Sequence, residues 1–141
     1  MRKAVDAAFT SAGLVQSATS KAWLLATTAE TLVGFAYEGG YLNGWYRPAV
    51  REVLTGFAYS SVLDSKTTPI CVAYDGVQLP VDDVWWRYHW PKNHWGCRAC
   101  VMPRFDKFKP TENPPWAPPP MDGFGVMPAI SAAIRVQTAA A

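Results

Sequence analysis

The sequence predicts an α+β protein in three parts, and a different pattern predicts each part. Residues 1–45 are rich in alanine, with apolar residues at helical spacing, which predicts an N-terminal helical arm. Residues 46–104 mix β-branched and aromatic runs with turn residues, which predicts a small antiparallel sheet built on hairpins. Residues 105–141 include six prolines between positions 110 and 120, which predicts an extended Pro-rich C-terminal arm.

The helical arm is predicted from one stripe of mostly small apolar residues. The members that recur every three or four positions are Leu14, Ala18, Ala22, Leu25, Ala29, Leu32, Val33 and Ala36. Such a stripe is typical of a helix face that packs on a core, so we expect these residues to be buried. A break at residues 11–13 would leave a short first helix, and Gly39-Gly40 predicts the end of the second.

The sheet is predicted from three short segments. Residues 51–61 alternate in the manner of a strand. Asp75-Gly76 is a two-residue hairpin signal, which would join an apolar strand at 70–73 to a return strand at 77–79. A last strand is expected where residues 97–100 lead into Val101 and Met102.

The Pro-rich arm allows three interpretations. It could be a ligand for an aromatic groove, an extension that packs on a neighbouring subunit, or a disordered tail. Beyond it, residues 129–136 are expected to form a final short strand or helix.

Composition excludes several classes of protein. The net charge of +2 does not by itself predict a nucleic-acid binder. No signal peptide and no transmembrane helix are expected, because no long apolar run occurs. Three cysteines, an odd number, disfavour a secreted disulfide framework and favour synthesis in a reducing cytoplasm. Only 17% of residues are charged, which is typical of a chain with part of its surface covered in an assembly.

All three cysteines and both histidines fall between residues 64 and 100. Cys71, His94, Cys97 and Cys100 form a candidate zinc-ligand set, since zinc prefers four thiolate or imidazole ligands. A strand over 97–101 would point Cys97 and Cys100 to opposite faces, which opposes this set. The alternatives are cysteines packed as small apolar residues, and a Cys71–Cys97 disulfide.

Two enzymatic interpretations were weighed and are not favoured. His89, Asn93 and His94 suggest a nuclease of the His–Asn–His type, but the three residues crowd into six positions with no helix after them. Cys97 as a nucleophile with His94 as its base lacks a third orienting group. No phosphate-binding glycine loop occurs either, so we expect no enzyme.

The tryptophan block could stack on nucleic-acid bases or form a core. The residues concerned are Trp85, Trp86, Trp90 and Trp95, with the cations Arg87, Lys92, Arg98 and Arg104 interleaved. The low net charge favours the core interpretation. Asp64 and Arg98 are expected to form a buried ion pair that ties the first strand to the last.

The order of these residues resembles a known family. It runs Asp64-x-Lys66-Thr67, then Cys71, then Asp75-Gly76, and closes with Pro91-x-x-His94-x-x-Cys97-Arg98. This is similar to the C-terminal domain of the phage Mu F-like minor head proteins, also called head morphogenesis proteins. The Thr28–Glu30 segment of the helix is similar too. The departures are Lys66 in place of arginine, Thr68 in place of a cysteine, and Cys100 one position late.

The resemblance implies a structural protein of the phage head, made in the host cytoplasm and acting in the virion at or near the portal. The implied partners are portal, major capsid or neck proteins, or further copies of the chain, with no membrane. The resemblance also implies a scaffold role for Asp64, Asp75, Gly76 and Arg98. The alternative is a nucleic-acid-binding module that contacts packaged DNA.

Overall fold

A computed structural model describes residues 18–128 of the 141-residue chain. Its elements follow in the order α1 (Ala18–Trp45), α2 (Pro48–Arg51), β1 (Gly56–Ser60), α3 (Pro69–Tyr74), β2 (Gln78–Pro80), α4 (Trp86–His89) and β3 (Cys100–Arg104). One long helix and a three-stranded antiparallel sheet confirm the predicted α+β class. The break at residues 11–13 and the final element at 129–136 lie outside the described residues.

Helix α1 continues through Gly39 and Gly40, so the predicted helix end there is wrong. Each glycine costs a helix interior about 1 kcal/mol relative to alanine. Residues beyond the pair offset that cost, because Leu42 is fully buried in the core and the ring of Trp45 packs 5.3 Å from that of Phe57. Tertiary packing therefore overrides the local stop signal.

The predicted core face of α1 is also wrong, because it points to solvent. Ala29, Val33 and Ala36 are exposed, with Val33 at 69%. The face toward the sheet instead carries Thr31 and Glu38, which are 3% and 2% exposed. A periodic pattern predicts that a helix has two different faces. Which of the two faces is buried depends on the groups that the neighbouring elements present to it.

The sheet has the order β2-β1-β3, with both neighbours antiparallel to β1. Phe57 at its centre lies opposite Leu79 on one side and Pro103 on the other. Strand β1 is shorter than the predicted 51–61, because Arg51 ends α2. The last strand begins at Cys100 rather than at residue 97.

Residues 70–73 lie in helix α3 rather than in a strand, so the predicted Asp75-Gly76 hairpin turn is wrong. Pro69 opens this helix at a position where its fixed φ and missing N–H do no harm. Gly76 still makes a tight reversal, with φ +75°, but it connects α3 to β2. Strand β2 then pairs with β1 instead of with residues 70–73.

An aromatic core fills the space between the sheet and the short helices. Its buried members are Leu42, Leu54, Phe57, Tyr59, Cys71, Tyr74, Val77, Leu79, Val81, Trp85, Trp86, Trp90, Cys97, Ala99 and Val101. Rings meet mainly edge to face, as for Phe57 against Trp86 and Trp90 at 5.7 and 5.3 Å. This is the geometry that ring quadrupoles favour.

The described part of the Pro-rich segment packs on its own chain, an arrangement that the sequence interpretations did not include. Thr111 exchanges hydrogen bonds with Gln78 of β2, at 2.8 and 2.9 Å. Trp85 donates its ring N–H to the carbonyl of Pro115 at 2.9 Å, and the Tyr74 hydroxyl donates to that of Pro118. The segment thus accepts hydrogen bonds from the ring N–H and hydroxyl groups of aromatic residues that are buried in the core.

Candidate metal centre

The strongest site candidate lies where α3 meets the loop before β3. Cys71 projects from α3, and His94 and Cys97 belong to a tight turn closed by the Cys97 N–H on the His94 carbonyl at 3.2 Å. Gly96 adopts φ +65° inside this turn, a conformation that glycine tolerates at no steric cost. Its N–H donates to the Thr31 hydroxyl of α1 at 3.1 Å, which fixes the turn to the long helix.

The three side chains form a compact donor set that could hold a metal ion. Their ligand atoms lie within 4.8 Å of one another, and all three residues are buried. Cys71 Sγ is 3.1 Å from His94 Nε2 and 3.6 Å from Cys97 Sγ. Bond lengths of about 2.3 Å to sulfur and about 2.0–2.1 Å to nitrogen would place such atoms roughly 3.6–3.8 Å apart in a tetrahedral zinc site. The two separations measured from Cys71 Sγ lie within about half an ångström of these values.

The orientation of His94 suits a metal ligand. Its Nδ1 lies 2.8 Å from the Trp95 carbonyl oxygen, which can only accept, so Nδ1 carries the proton. Nε2 is then the atom that faces Cys71 Sγ, at 3.1 Å, and it can bind a metal when it carries no proton. Metal-bound histidines generally donate their second N–H to such a carbonyl, which fixes the tautomer and the ring.

The electrostatics of the cluster favour one thiolate even before a metal binds. The pKa of Cys97 falls to about 4, because the Cys71 thiol, the His94 ring and the N–H groups of Asn93 and Ala99 all stabilise its anion against the opposing effect of burial. The pKa of Cys71 is raised, since its proton is held toward Cys97 and the group is buried. The pKa of His94 is raised mainly by its hydrogen bond with Cys97.

A second layer of polar contacts holds Cys71 in place. The Tyr59 hydroxyl lies 3.6 Å from its sulfur and accepts a 2.6 Å hydrogen bond from the Asn93 amide. Ser61 donates its hydroxyl to the Cys71 carbonyl at 2.7 Å. Sequence reasoning missed Tyr59 and Ser61, because Tyr59 lies on β1 and Ser61 directly follows it, and only the fold brings that strand beneath α3.

The four predicted scaffold residues surround this cluster. Arg98 binds Asp64 through both carboxylate oxygens at 2.7 and 2.5 Å. The predicted pair is therefore present, but the prediction that it is buried is wrong, because its side chains are 44% and 41% exposed. Asp75 accepts the Ser61 N–H at 2.6 Å, and the Gly76 N–H donates to Tyr59 at 3.0 Å. Both contacts fasten the end of α3 to β1.

Cys100, the fourth predicted ligand, lies outside the donor cluster. It opens β3, and its pKa is raised by burial and by the neighbouring charge of Glu38 on α1. All three thiols are free, so the Cys71–Cys97 disulfide is not formed in this structure.

The residues of the nuclease interpretation are dispersed in other roles, whereas His94 and Cys97 of the nucleophile interpretation meet in the donor cluster. His89 stacks on Trp85 with ring centroids 4.4 Å apart, and its Nδ1 meets the Trp85 carbonyl at 3.0 Å. Asn93 is fully buried against Tyr59. These two residues support the core, so they do not form a nuclease centre with His94.

The tryptophan block is core rather than a stacking platform. Trp85, Trp86 and Trp90 are fully buried, and only Trp95 has a large exposed fraction, 46%. Of the interleaved cations, Lys92 is buried with its ammonium 2.8 Å from the Ala99 carbonyl. Arg98 pairs with Asp64 and Arg104 pairs with Asp106. Arg87 remains exposed.

Comparison with known proteins agrees with the order of motifs. Residues 6–102 match the family described as Phage Mu protein F like protein, and the chain belongs to this family. Membership implies a phage head-morphogenesis protein, which is a virion component with other virion proteins as partners. No curated protein and no solved structure gives a significant match. Within residues 18–128, no helix has the length and apolar character needed to cross a membrane.

Proposed function

We propose that this protein is a structural minor component of the phage head, associated with the capsid or portal region and acting through protein–protein contacts. The observation that carries the proposal is the family match over residues 6–102. The donor cluster at Cys71, His94 and Cys97 supports this proposal. The cluster lies inside the matched segment, and it brings α3 together with the loop before β3.

The outward face of α1 is the proposed contact surface. Its exposed small residues are spaced alternately by four and three positions: Ala22, Ala26, Ala29, Val33, Ala36 and Gly40. This spacing matches a heptad seam, and small side chains there let a second helix approach closely. Trp23, Leu32 and Tyr37 flank the seam with exposed fractions of 66%, 62% and 58%. Large apolar side chains left in water beside such a seam are typical of an interaction surface.

The proposed role of the metal is structural. Zinc fits the donors, since two thiolates and one imidazole are its preferred ligands. When bound, it would join α3 to the loop before β3 and neutralise the Cys97 thiolate. The chain's own residues would hold the site in register through Tyr59, Asn93 and the Trp95 carbonyl.

Incorporation into particles tests the proposed function. A phage lacking this gene is complemented with the wild-type chain, or with Ala29→Arg, which introduces a charge at the centre of the seam. We expect the wild-type chain in purified heads and the folded variant to be depleted from them. Glu52→Arg is the matched control, because it introduces the same side chain at an exposed position away from the seam. Absence of the wild-type chain from purified particles would contradict the proposal.

Binding to DNA separates the alternative function. A protein that neutralises several phosphates loses affinity steeply as salt rises. Three of the four tryptophans in the block are buried, and Arg98 and Arg104 are already paired, so we expect little DNA binding in a filter assay across a salt series. Tight binding with a steep salt slope would favour the DNA-contacting role instead.

A further inference from the structure

The Cys71–His94–Cys97 cluster supplies three donors, whereas a structural zinc site usually has four protein ligands. The fourth expected donor, Cys100, lies outside the cluster, beside Glu38. Within residues 18–128, no other group of three or more histidine, cysteine or carboxylate donors is placed to hold a metal. The fourth coordination position must therefore be filled by something other than a cysteine or histidine of the described cluster.

A small cavity lies beside two of the three donors. It has a volume of about 20 Å³, and Thr68, Cys71 and His94 are among its lining residues. About 10–15 Å³ of such volume suffices for one water molecule. The space therefore fits a single small ligand beside the two donors.

The hydroxyl of Thr68 points to the same conclusion. Its Oγ1 is buried and makes no hydrogen bond of good geometry within the described residues, although it lies close enough to Cys71 to favour the thiolate. Thr68 precedes α3 in the N-cap position, yet its side chain does not cap the helix. A buried hydroxyl without a good partner destabilises the fold, and a hydrogen bond to a water or anion in the cavity would remove that cost.

We infer that the metal centre is held by three protein ligands and keeps an exchangeable fourth position, which faces Thr68 and takes a water molecule or a monodentate anion. This inference rests on the proposed metal role. Lys66 also lines the cavity, and its charge favours an anionic occupant over a neutral one. The same position would accept a single carboxylate or thiolate from a partner protein in the assembled head.

X-ray absorption at the zinc edge, measured on the full chain, tests whether the metal has three protein ligands and an open fourth position. We expect two sulfurs and two nitrogen or oxygen ligands in the wild-type protein, and three sulfurs in Thr68→Cys, which places a thiol at the open position. Cys100→Ser is the control and should leave two sulfurs. Three sulfurs in the wild type, or two in a zinc-loaded Thr68→Cys, would overturn the inference.

Cobalt substitution gives an independent measurement that does not depend on a variant folding. Azide added to the cobalt-loaded wild-type chain should shift the visible absorption bands, and Thr68→Cys should abolish the shift. Bands unaffected by azide in the wild type would overturn the open position while leaving the metal role intact. A chain that binds neither zinc nor cobalt would overturn both, whereas incorporation into heads tests the virion role separately.

Discussion

Asp64 and Arg98 form a two-point ion pair that joins the two halves of the donor cluster. The carboxylate also accepts the Lys66 N–H at 2.9 Å, so it organises the turn that leads to Cys71. Arg98 directly follows Cys97, so the pair fixes the spacing between the segments that carry the two thiols. Geometry of this kind can matter more for the site than for overall stability, because exposed pairs stabilise a fold only weakly.

Asp64→Asn should lower the melting temperature at neutral pH and have a smaller effect in acid. The pKa of Asp64 is held below its usual range by the hydrogen bonds from Arg98 and the Lys66 N–H. A lowered pKa gives stability that is present above about pH 4 and lost as the pH falls below it. The difference in melting temperature between wild type and variant should therefore be smaller at pH 3 than at pH 7, without vanishing.

Asp82→Asn is the matched control for that comparison, since it removes a single-contact pair with Arg51 at 2.7 Å, away from the cluster. It should leave metal content unchanged, whereas Asp64→Asn should weaken metal retention. Equal metal retention in the two variants would show that the Asp64–Arg98 pair does not position the site.

Removal of the metal should destabilise the small domain. Cys97→Ser and His94→Ala should lose bound zinc and melt at a lower temperature, because structural zinc binding contributes directly to the free energy of folding. Cys100→Ser, outside the cluster, should keep the metal and change stability by less than about 0.5 kcal/mol. Metal analysis and thermal melts with and without a chelator check this, and a metal-free wild type with unchanged melting would refute it.

Glu38→Gln should show that the Glu38 carboxyl group is protonated in the folded state at mildly acidic pH. Burial raises the pKa of Glu38 to about 7, although Lys92 lies 3.9 Å away and acts in the opposite direction. A raised carboxyl pKa gives stability that is present below the unfolded value and lost as the pH rises through 7. Relative to wild type, the variant should gain on the order of 3 kcal/mol between pH 4 and pH 8. Denaturant unfolding at both pH values measures this, and a relative loss would show a charged Glu38–Lys92 pair.

A matched pair of leucines tests which face of α1 is inside. Leu42→Ala should cost about 2–5 kcal/mol, because the side chain is 0% exposed and its removal leaves a cavity. Leu32→Ala should cost under about 1 kcal/mol, because Leu32 is 62% exposed. Chemical denaturation of the isolated protein gives both values. Similar costs would mean that the outward face of α1 is covered in the free protein as well.

The sequence by itself determined the family and the α+β class, and its candidate ligand set contained the three residues of the donor cluster together with Cys100, which lies outside it. The spacing of Cys71, Asp75-Gly76 and His94-x-x-Cys97 is enough to identify the family, because a motif consists of residue types at fixed spacing and can be recognised without knowing the fold. It also indicated the Asp64–Arg98 pair, since opposite charges beside two strands expected to be neighbours have few other partners.

Only the tertiary structure decided which faces are inside, whether residues 69–74 are helix, and which cysteine is excluded. A short apolar run fits a strand and a helix turn equally well, and Pro69 tips this one toward α3. The periodicity of the stripe on α1 predicts a core face, yet the loop before β3 offers the polar groups that match Thr31 and Glu38, namely the Gly96 N–H and the Lys92 ammonium. Burial is decided by what an element packs against, and that information is spread over residues distant in the chain.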